Sequence, residues 1–110
     1  MAGYFELKKA ANDKYRFNLK SGNHQVVLTG QAYSSRAAAL AGIESVRSNC
    51  ADDSNFERKT AKDGSPFFTL KSGRNGQVLG VSETYSSKSA AETGIASVKA
   101  NAPGAAIKEP

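Results

Sequence analysis

Apolar and polar residues alternate strictly along one segment in the first third of the chain. Between residues 14 and 20 every second position is apolar, and the positions between them carry charges or an amide. A period of two is typical of a β-strand with one buried and one wet face. A shorter alternating segment covers residues 4–8, and a β-branched segment covers residues 25–29. With turn residues at 12–13 and 21–24 between them, the pattern predicts a three-stranded antiparallel meander.

The period then becomes helical. Between residues 35 and 49 the apolar side chains recur at spacings of three and four, which predicts a helix with one apolar face. The residues of that face are Ala39, Ile43, Val46 and Cys50. Ser34 and Ser35 are N-cap candidates. Asn49 is the candidate for a left-handed residue that ends the helix.

The second half of the chain repeats the first. Leu-Lys-Ser-Gly occupies residues 19–22 and 70–73, and Tyr-Ser-Ser-Arg/Lys occupies 33–36 and 85–88. Equivalent residues are 51 apart early in the unit and 52 apart later, which places one extra residue within 74–76. In the second copy, the same pattern predicts strands at 56–60, 66–71 and 77–81, a helix at 87–101 and a last strand within 105–109. A possible capping box at residues 89–92 would start that helix two residues late.

The repeat also indicates where the two copies depend on each other. Each half is too short to bury much surface, so we expect one domain, residues 1–110, built from two repeats of about 1–53 and 54–110. The segment around Phe56 ends one unit and opens the next. Gly42 returns as Gly94 in mid-helix, where glycine costs about 1 kcal/mol relative to alanine. We therefore expect a close approach of each helix to the sheet or to another backbone. Tyr33 and Tyr85 are interpreted as staples against the first helical turn.

Three motifs in both copies resemble the YegP-like family of small duplicated bacterial proteins of unknown function. They are Phe-Glu-x-Lys at the start of each copy, Tyr-Ser-Ser-Arg/Lys, and Gly-Ile-x-Ser-Val-Arg/Lys-x-Asn. The resemblance implies an α+β fold in which tandem β-β-β-α-β repeats form a single antiparallel sheet, with two helices on one face and exchanged C-terminal strands. It implies a monomer with internal pseudo-two-fold symmetry. It supplies no activity and no catalytic residues.

Composition narrows the possible chemistry. One cysteine and one histidine are too few for an internal disulfide or a zinc site, so we expect no cofactor. Ala102 is the counterpart of Cys50, which indicates a packing role for the thiol, although spacing leaves a Cys50–His24 nucleophile pair open. No apolar run is long enough to span a bilayer, and the N-terminus lacks the pattern of a signal peptide. The expected location is the cytoplasm, with no membrane partner.

The net charge of +5 favours anionic partners, although the cations are scattered along the chain. If both helices cover one face of the sheet, the other face carries alternate strand residues, many of them basic. We interpret the chain as a small non-enzymatic binding or interaction protein of unknown biochemical role, whose partner is a protein or a nucleic acid. The alternative is a nucleic-acid or anion binder that uses the exposed sheet face, or the capped helix starts near Arg36 and Lys88. A catalytic pair formed by Glu6 and Glu57 is a weaker alternative. The candidate contacts are Lys8, Arg16, Lys20, Arg36, Lys59, Phe67, Lys71 and Lys88.

Overall fold

The computed structural model describes residues 3–10, 12–22, 25–74 and 76–109. The order of elements confirms the tandem repeat. The first copy contains β1 (Tyr4–Lys9), β2 (Tyr15–Lys20), β3 (Val26–Gly30) and α1 (Arg36–Asn49). After one 3-10 turn at Asp53–Asn55, the second contains β4 (Phe56–Thr60), β5 (Pro66–Lys71), β6 (Val78–Val81), α2 (Lys88–Asn101) and β7 (Ala106–Lys108). The extra residue predicted within 74–76 falls partly outside the described residues.

The seven strands of the described residues form one mixed sheet in the order β4-β5-β6-β3-β2-β1-β7. The two copies meet where β3 pairs antiparallel with β6. The sheet departs from the antiparallel expectation at one edge, where β7 pairs parallel with β1. The Asn101 side-chain oxygen accepts a 2.8 Å hydrogen bond from the Gly3 backbone N–H, so the chain leaves α2 beside the start of β1. Two strands that start at the same end of a sheet run parallel.

The exchange of C-terminal strands is confirmed, because β7 of the second copy pairs with β1 of the first. Arg47 of α1 supports the exchange by donating a hydrogen bond to the carbonyl of Ala105, just before β7. The equivalent residue of α2, Lys99, contacts the Asp53 carboxylate at 2.7 Å, just before β4. Each helix therefore holds the chain that emerges from the other helix.

The copies are related by a pseudo-two-fold axis perpendicular to the sheet. Thr29 and Val81 are equivalent positions, 52 residues apart, and they lie directly opposite each other in the β3–β6 pair. The inward-facing residues of both copies and both helices share one apolar core on one side of the sheet. A two-fold axis that keeps both helices on that side is perpendicular to the sheet. It passes between Thr29 and Val81.

The core continues across the boundary between the copies. Leu19 lies opposite Phe5 on one side and Leu28 on the other. In the second copy, Leu70 lies between Phe56 and Gly80 in the same way. The helices cover this surface with small and branched side chains, all at most 2% exposed: Ala39, Ile43, Val46, Ala91, Ile95 and Val98.

Three rings form a ladder in each copy and explain the mid-helix glycines. In the first copy Phe5 meets Phe17 edge-on at 5.8 Å, and Phe17 stacks on Tyr33 at 6.0 Å between centroids. The second copy repeats the geometry with Phe56, Phe68 and Tyr85. A Cβ at Gly42 would lie 2.3 Å from the Tyr33 hydroxyl oxygen. The tyrosines thus pack against mid-helix glycines, and their interpretation as first-turn staples was wrong.

We expect Gly42→Ala to destabilise the protein by about 1 to 3 kcal/mol, although alanine is the better helix former. The new methyl group would overlap the ring of Tyr33, which the stacked Phe17 holds in place. The measurement is urea unfolding of Gly42→Ala in the wild-type background and in a Tyr33→Ala background. In the second background the overlap is absent, and the substitution should be neutral or stabilising. Destabilisation of equal size in both backgrounds would contradict the steric explanation.

Both helices begin at a serine, as predicted for Ser35. The hydroxyl oxygens of Ser35 and Ser87 accept 3.1 Å hydrogen bonds from backbone N–H groups three residues on. The capping box proposed at 89–92 was wrong, because Glu92 turns outward to pair with Arg58. The left-handed Asn49 was also wrong: Asn49 is the last helical residue of α1, with Cys50 as the C-cap at φ −71°, and the Asn49 amide donates to the Ser45 carbonyl.

The two edges of the sheet differ because β7 covers only one of them. Leu7, on β1 one residue beyond the segment that pairs with β7, is 2% exposed. Its equivalent on the uncovered strand β4 is Arg58, which bridges Glu92 at 2.8 Å and Asp53 at 3.1 Å. Hydrogen bonds from Arg58 and Lys99 lower the pKa of Asp53 to about 2. A charged side chain directed inward protects an edge strand from pairing with other chains. The departure from two-fold symmetry therefore places a charged side chain on the unpaired edge strand β4.

Candidate nucleic-acid interface

The face of the sheet opposite the helices carries most of the predicted contacts. Lys8 and Arg16 lie directly opposite each other on β1 and β2, and Lys59 and Phe67 do the same on β4 and β5. Lys20 and Lys71 lie on the same face, four residues further along β2 and β5. We call this surface the open face. The structure thus brings six of the eight predicted residues onto one surface.

Strand register arranges the open face in rows. The central row crosses the sheet through directly opposed residues: Lys108, Glu6, Asn18, Thr29, Val81, Thr69 and Glu57. Since β2 and β5 run in opposite directions, Arg16 and Lys71 lie on one side of this row. Lys20 and Phe67 lie on the other side.

The flanking residues define two further rows. The first basic row contains Lys8, Arg16 and Lys71, and the second contains Lys20, Phe67 and Lys59. The pseudo-two-fold axis exchanges these rows, because Lys8, Arg16 and Lys20 are each 51 residues before their counterparts Lys59, Phe67 and Lys71. Four residues along a strand separate the rows, which is roughly 13 Å.

Each acidic residue of the open face is held by two lysines. Glu6 contacts Lys20 at 3.1 Å and Lys8 at 3.2 Å, and these hydrogen bonds lower the pKa of its carboxyl group. Glu57 contacts Lys59 at 2.9 Å and Lys71 at 3.0 Å, with the same effect on its pKa. Both carboxylates are therefore ionised near neutral pH. The lysines are partly exposed, so an incoming anion can compete for them.

Sequence reasoning missed one cation of this surface. The Lys108 ammonium lies 4.5 Å from the centroid of the Tyr4 ring, on the open face of β7. The sequence predicted a strand here, but its pairing with β1 depends on the exchange of strands between copies. With Lys108, six cations face two carboxylates in the described part of this surface, which leaves four net positive charges.

The other two predicted residues lie at the helix starts, on the opposite side of the sheet. The Arg36 guanidinium binds both Glu109 carboxylate oxygens, with its Nε at 3.0 Å from each. Lys88 is the exposed first residue of α2. Because the serine hydroxyls already satisfy an N–H group at each start, the geometry favours ordinary N-capping there.

The catalytic alternatives gain no support from the geometry. Cys50 is fully buried, and burial raises the pKa of its thiol, which disfavours the nucleophilic thiolate. His24, its proposed partner, lies outside the described residues. Glu6 and Glu57 lie on β1 and β4, five strand spacings or about 24 Å apart, too far to act on one bond. Across the described ranges, no cluster of three metal-ligating side chains occurs.

Comparison with known proteins places the chain in a family. A family model described as a domain of unknown function, DUF1508, matches residues 10–57 and again residues 61–109. A UPF0339 protein of Bordetella pertussis is 52% identical over 99% of this chain and 96% of its own length. The UPF0339 protein YegP of Escherichia coli K12 is 45% identical over 99% of this chain and 98% of its own length.

Solved structures agree with this assignment. The solution NMR structure of yegP from Escherichia coli matches with a TM-score of 0.92 at 45% identity, covering 99% of this chain and 93% of that one. The UPF0339 protein SO3888 from Shewanella oneidensis matches with a TM-score of 0.92 at 40% identity, covering 99% and 92%. The chain belongs to the duplicated DUF1508 family, also named UPF0339, whose function is unknown. In the part of the chain that the structure describes, neither helix is long and apolar enough to cross a membrane.

Proposed function

We propose that the protein is a non-enzymatic binding protein whose open face binds the phosphate backbone of nucleic acid. The observation that carries this proposal is an excess of four positive charges, from six cations and two carboxylates among the described residues of one sheet face. A polyanion gains most from such a surface, because each neutralised phosphate releases condensed counterions. The cations are spread over five strands, β1, β2, β4, β5 and β7, which suits an extended ligand better than a single small anion.

The distribution of charge over the whole molecule supports the open face as the binding surface. On the helical side, the arginines are paired with carboxylates: Arg36 with Glu109, Arg47 with Glu44, and Arg58 with Asp53 and Glu92. The open face carries the larger excess of positive charge. A protein partner would fit this surface only if it were itself strongly acidic, and that is the competing interpretation.

Binding should weaken steeply with salt. If the five cations of the two basic rows contact phosphates, the affinity for a mixed-sequence DNA oligonucleotide should fall about 500-fold between about 50 mM and about 200 mM salt. The combined Lys20→Gln and Lys71→Gln variant should bind about tenfold more weakly at the lower salt concentration, with a salt slope reduced by about 2. Fluorescence anisotropy of a labelled oligonucleotide, with the full chain, measures both quantities.

Two further variants separate a specific surface from general attraction. Lys62 lies in the exposed turn between β4 and β5, and Lys62→Gln makes the same charge change as Lys71→Gln in the same copy. It should leave affinity nearly unchanged. The combined Glu6→Gln and Glu57→Gln variant should bind more tightly, because it frees four lysines. No binding at the lower salt concentration, or equal losses for Lys62→Gln and Lys71→Gln, would refute the proposal.

A further inference from the structure

We infer that the ligand of the open face is a double helix that lies across the strands, with one phosphate backbone along each basic row. This inference rests on the proposed function and specifies its ligand. It follows from the positions of the cations, whereas the proposed function follows from their number.

The first observation is the symmetry of the open face. The pseudo-two-fold axis passes through the face between Thr29 and Val81, and it exchanges the first and second basic rows. Because a two-fold rotation relates the rows, the equivalent residues follow each other in opposite directions along the two rows. The two backbones of a duplex are also antiparallel and are related by two-fold axes perpendicular to the helix axis, a match that dimeric DNA-binding proteins use. A lone strand has no such axis and meets the two rows with different polarity.

The second observation is the spacing of the rows. Arg16 and Lys20 are four residues apart on β2, so the rows lie roughly 13 Å apart. The major groove of B-form DNA is about 12 Å wide. The minor groove of A-form RNA is also wide and shallow. Phosphates on the two sides of such a groove can reach both rows at once.

The third observation is the position of the carboxylates. Glu6 and Glu57 lie in the central row, which would face the middle of the groove, where no phosphate lies. The same row contains Asn18 and Thr29, which can hydrogen-bond to base edges or sugar hydroxyls. A strand lying along the central row would instead place phosphates over both carboxylates. The charge pattern therefore favours two separate backbones over one central backbone.

The test compares a duplex of about 16 base pairs with each of its single strands, as DNA and as RNA, using the full chain at low salt. We expect the affinity for the duplex to be at least about tenfold higher than the affinity for either single strand. Lys71→Gln in the first row and Lys20→Gln in the second should weaken duplex binding by the same factor, within about twofold. Lys62→Gln, in the exposed turn between β4 and β5, should leave duplex affinity unchanged. Phe67→Ala should weaken duplex binding less than it weakens single-strand binding, since a stacked base pair offers no free base to this ring.

Other outcomes overturn the inference without removing the proposed function. Tighter binding of single strands, with a loss of about 5- to 150-fold in Phe67→Ala, would indicate stacking of unpaired bases. Unequal effects of Lys20→Gln and Lys71→Gln would indicate that the ligand follows one row only. Absence of binding to duplex and single strands alike at low salt would refute the proposed function itself.

Discussion

Phe17→Ala is expected to lower the free energy of unfolding by about 3 to 5 kcal/mol. The ring of Phe17 is fully buried between Phe5 and Tyr33, and its edge lies directly against the backbone of Gly30. Removing it leaves a cavity between two aromatic neighbours that are themselves fixed by the sheet and by α1. It also removes two ring–ring contacts, each worth about 0.5 to 1.5 kcal/mol beyond burial. Urea unfolding followed by circular dichroism gives the change directly.

Two phenylalanines of the second copy are the controls for this prediction. Phe68 is the equivalent of Phe17, so Phe68→Ala should cost a similar amount. Phe67 is adjacent in sequence but lies on the open face, so Phe67→Ala should change stability by less than about 1 kcal/mol. Similar losses for Phe67→Ala and Phe68→Ala would mean that the assignment of the two faces is wrong.

The alternation of residues along the strands predicted the two faces of the sheet. On β2, Phe17 and Leu19 face the core, and Arg16, Asn18 and Lys20 face outward, as a period of two requires. The repeat showed which unusual residues occur at equivalent positions in both copies, which no single segment shows. Gly42 and Gly94 recur in mid-helix, where each costs stability, so a close approach of each helix to the sheet or to another backbone was expected. The closest neighbours are instead the side-chain rings of Tyr33 and Tyr85.

Features that depend on contacts between the copies could not be predicted from local sequence patterns. The parallel pairing of β7 with β1 arises because Asn101 brings the end of α2 to Gly3, 98 residues away along the chain. Without that register, Lys108 could not be placed on the open face. The replacement of Leu7 by Arg58 likewise follows from which edge β7 covers. The two rows of the open face also required the pairing of β3 with β6, since that pair sets the position of the two-fold axis.

Residues 1–53 expressed alone are expected not to fold as a monomer. That fragment lacks β6, the partner of β3, and β7, the partner of β1. Leu28 would lose the backbone of Gly80 against which it packs, and Phe5 would lose Ile107, its neighbour on β7. A chain of about 50 residues buries too little surface to compensate for these losses. Thermal unfolding by circular dichroism, with sedimentation equilibrium at several concentrations, tests this expectation.

Concentration dependence distinguishes the possible origins of any folded fragment. Two copies of residues 1–53 could pair through β3 and rebuild the central antiparallel contact that β3 and β6 make in the full chain. Folded signal would then rise with protein concentration, because folding and association are coupled. A monomer that melts cooperatively at a temperature independent of concentration would show that one repeat has a sufficient core of its own. The pseudo-two-fold axis would then relate two autonomous units, and the strand exchange would no longer be needed to explain the stability of either copy.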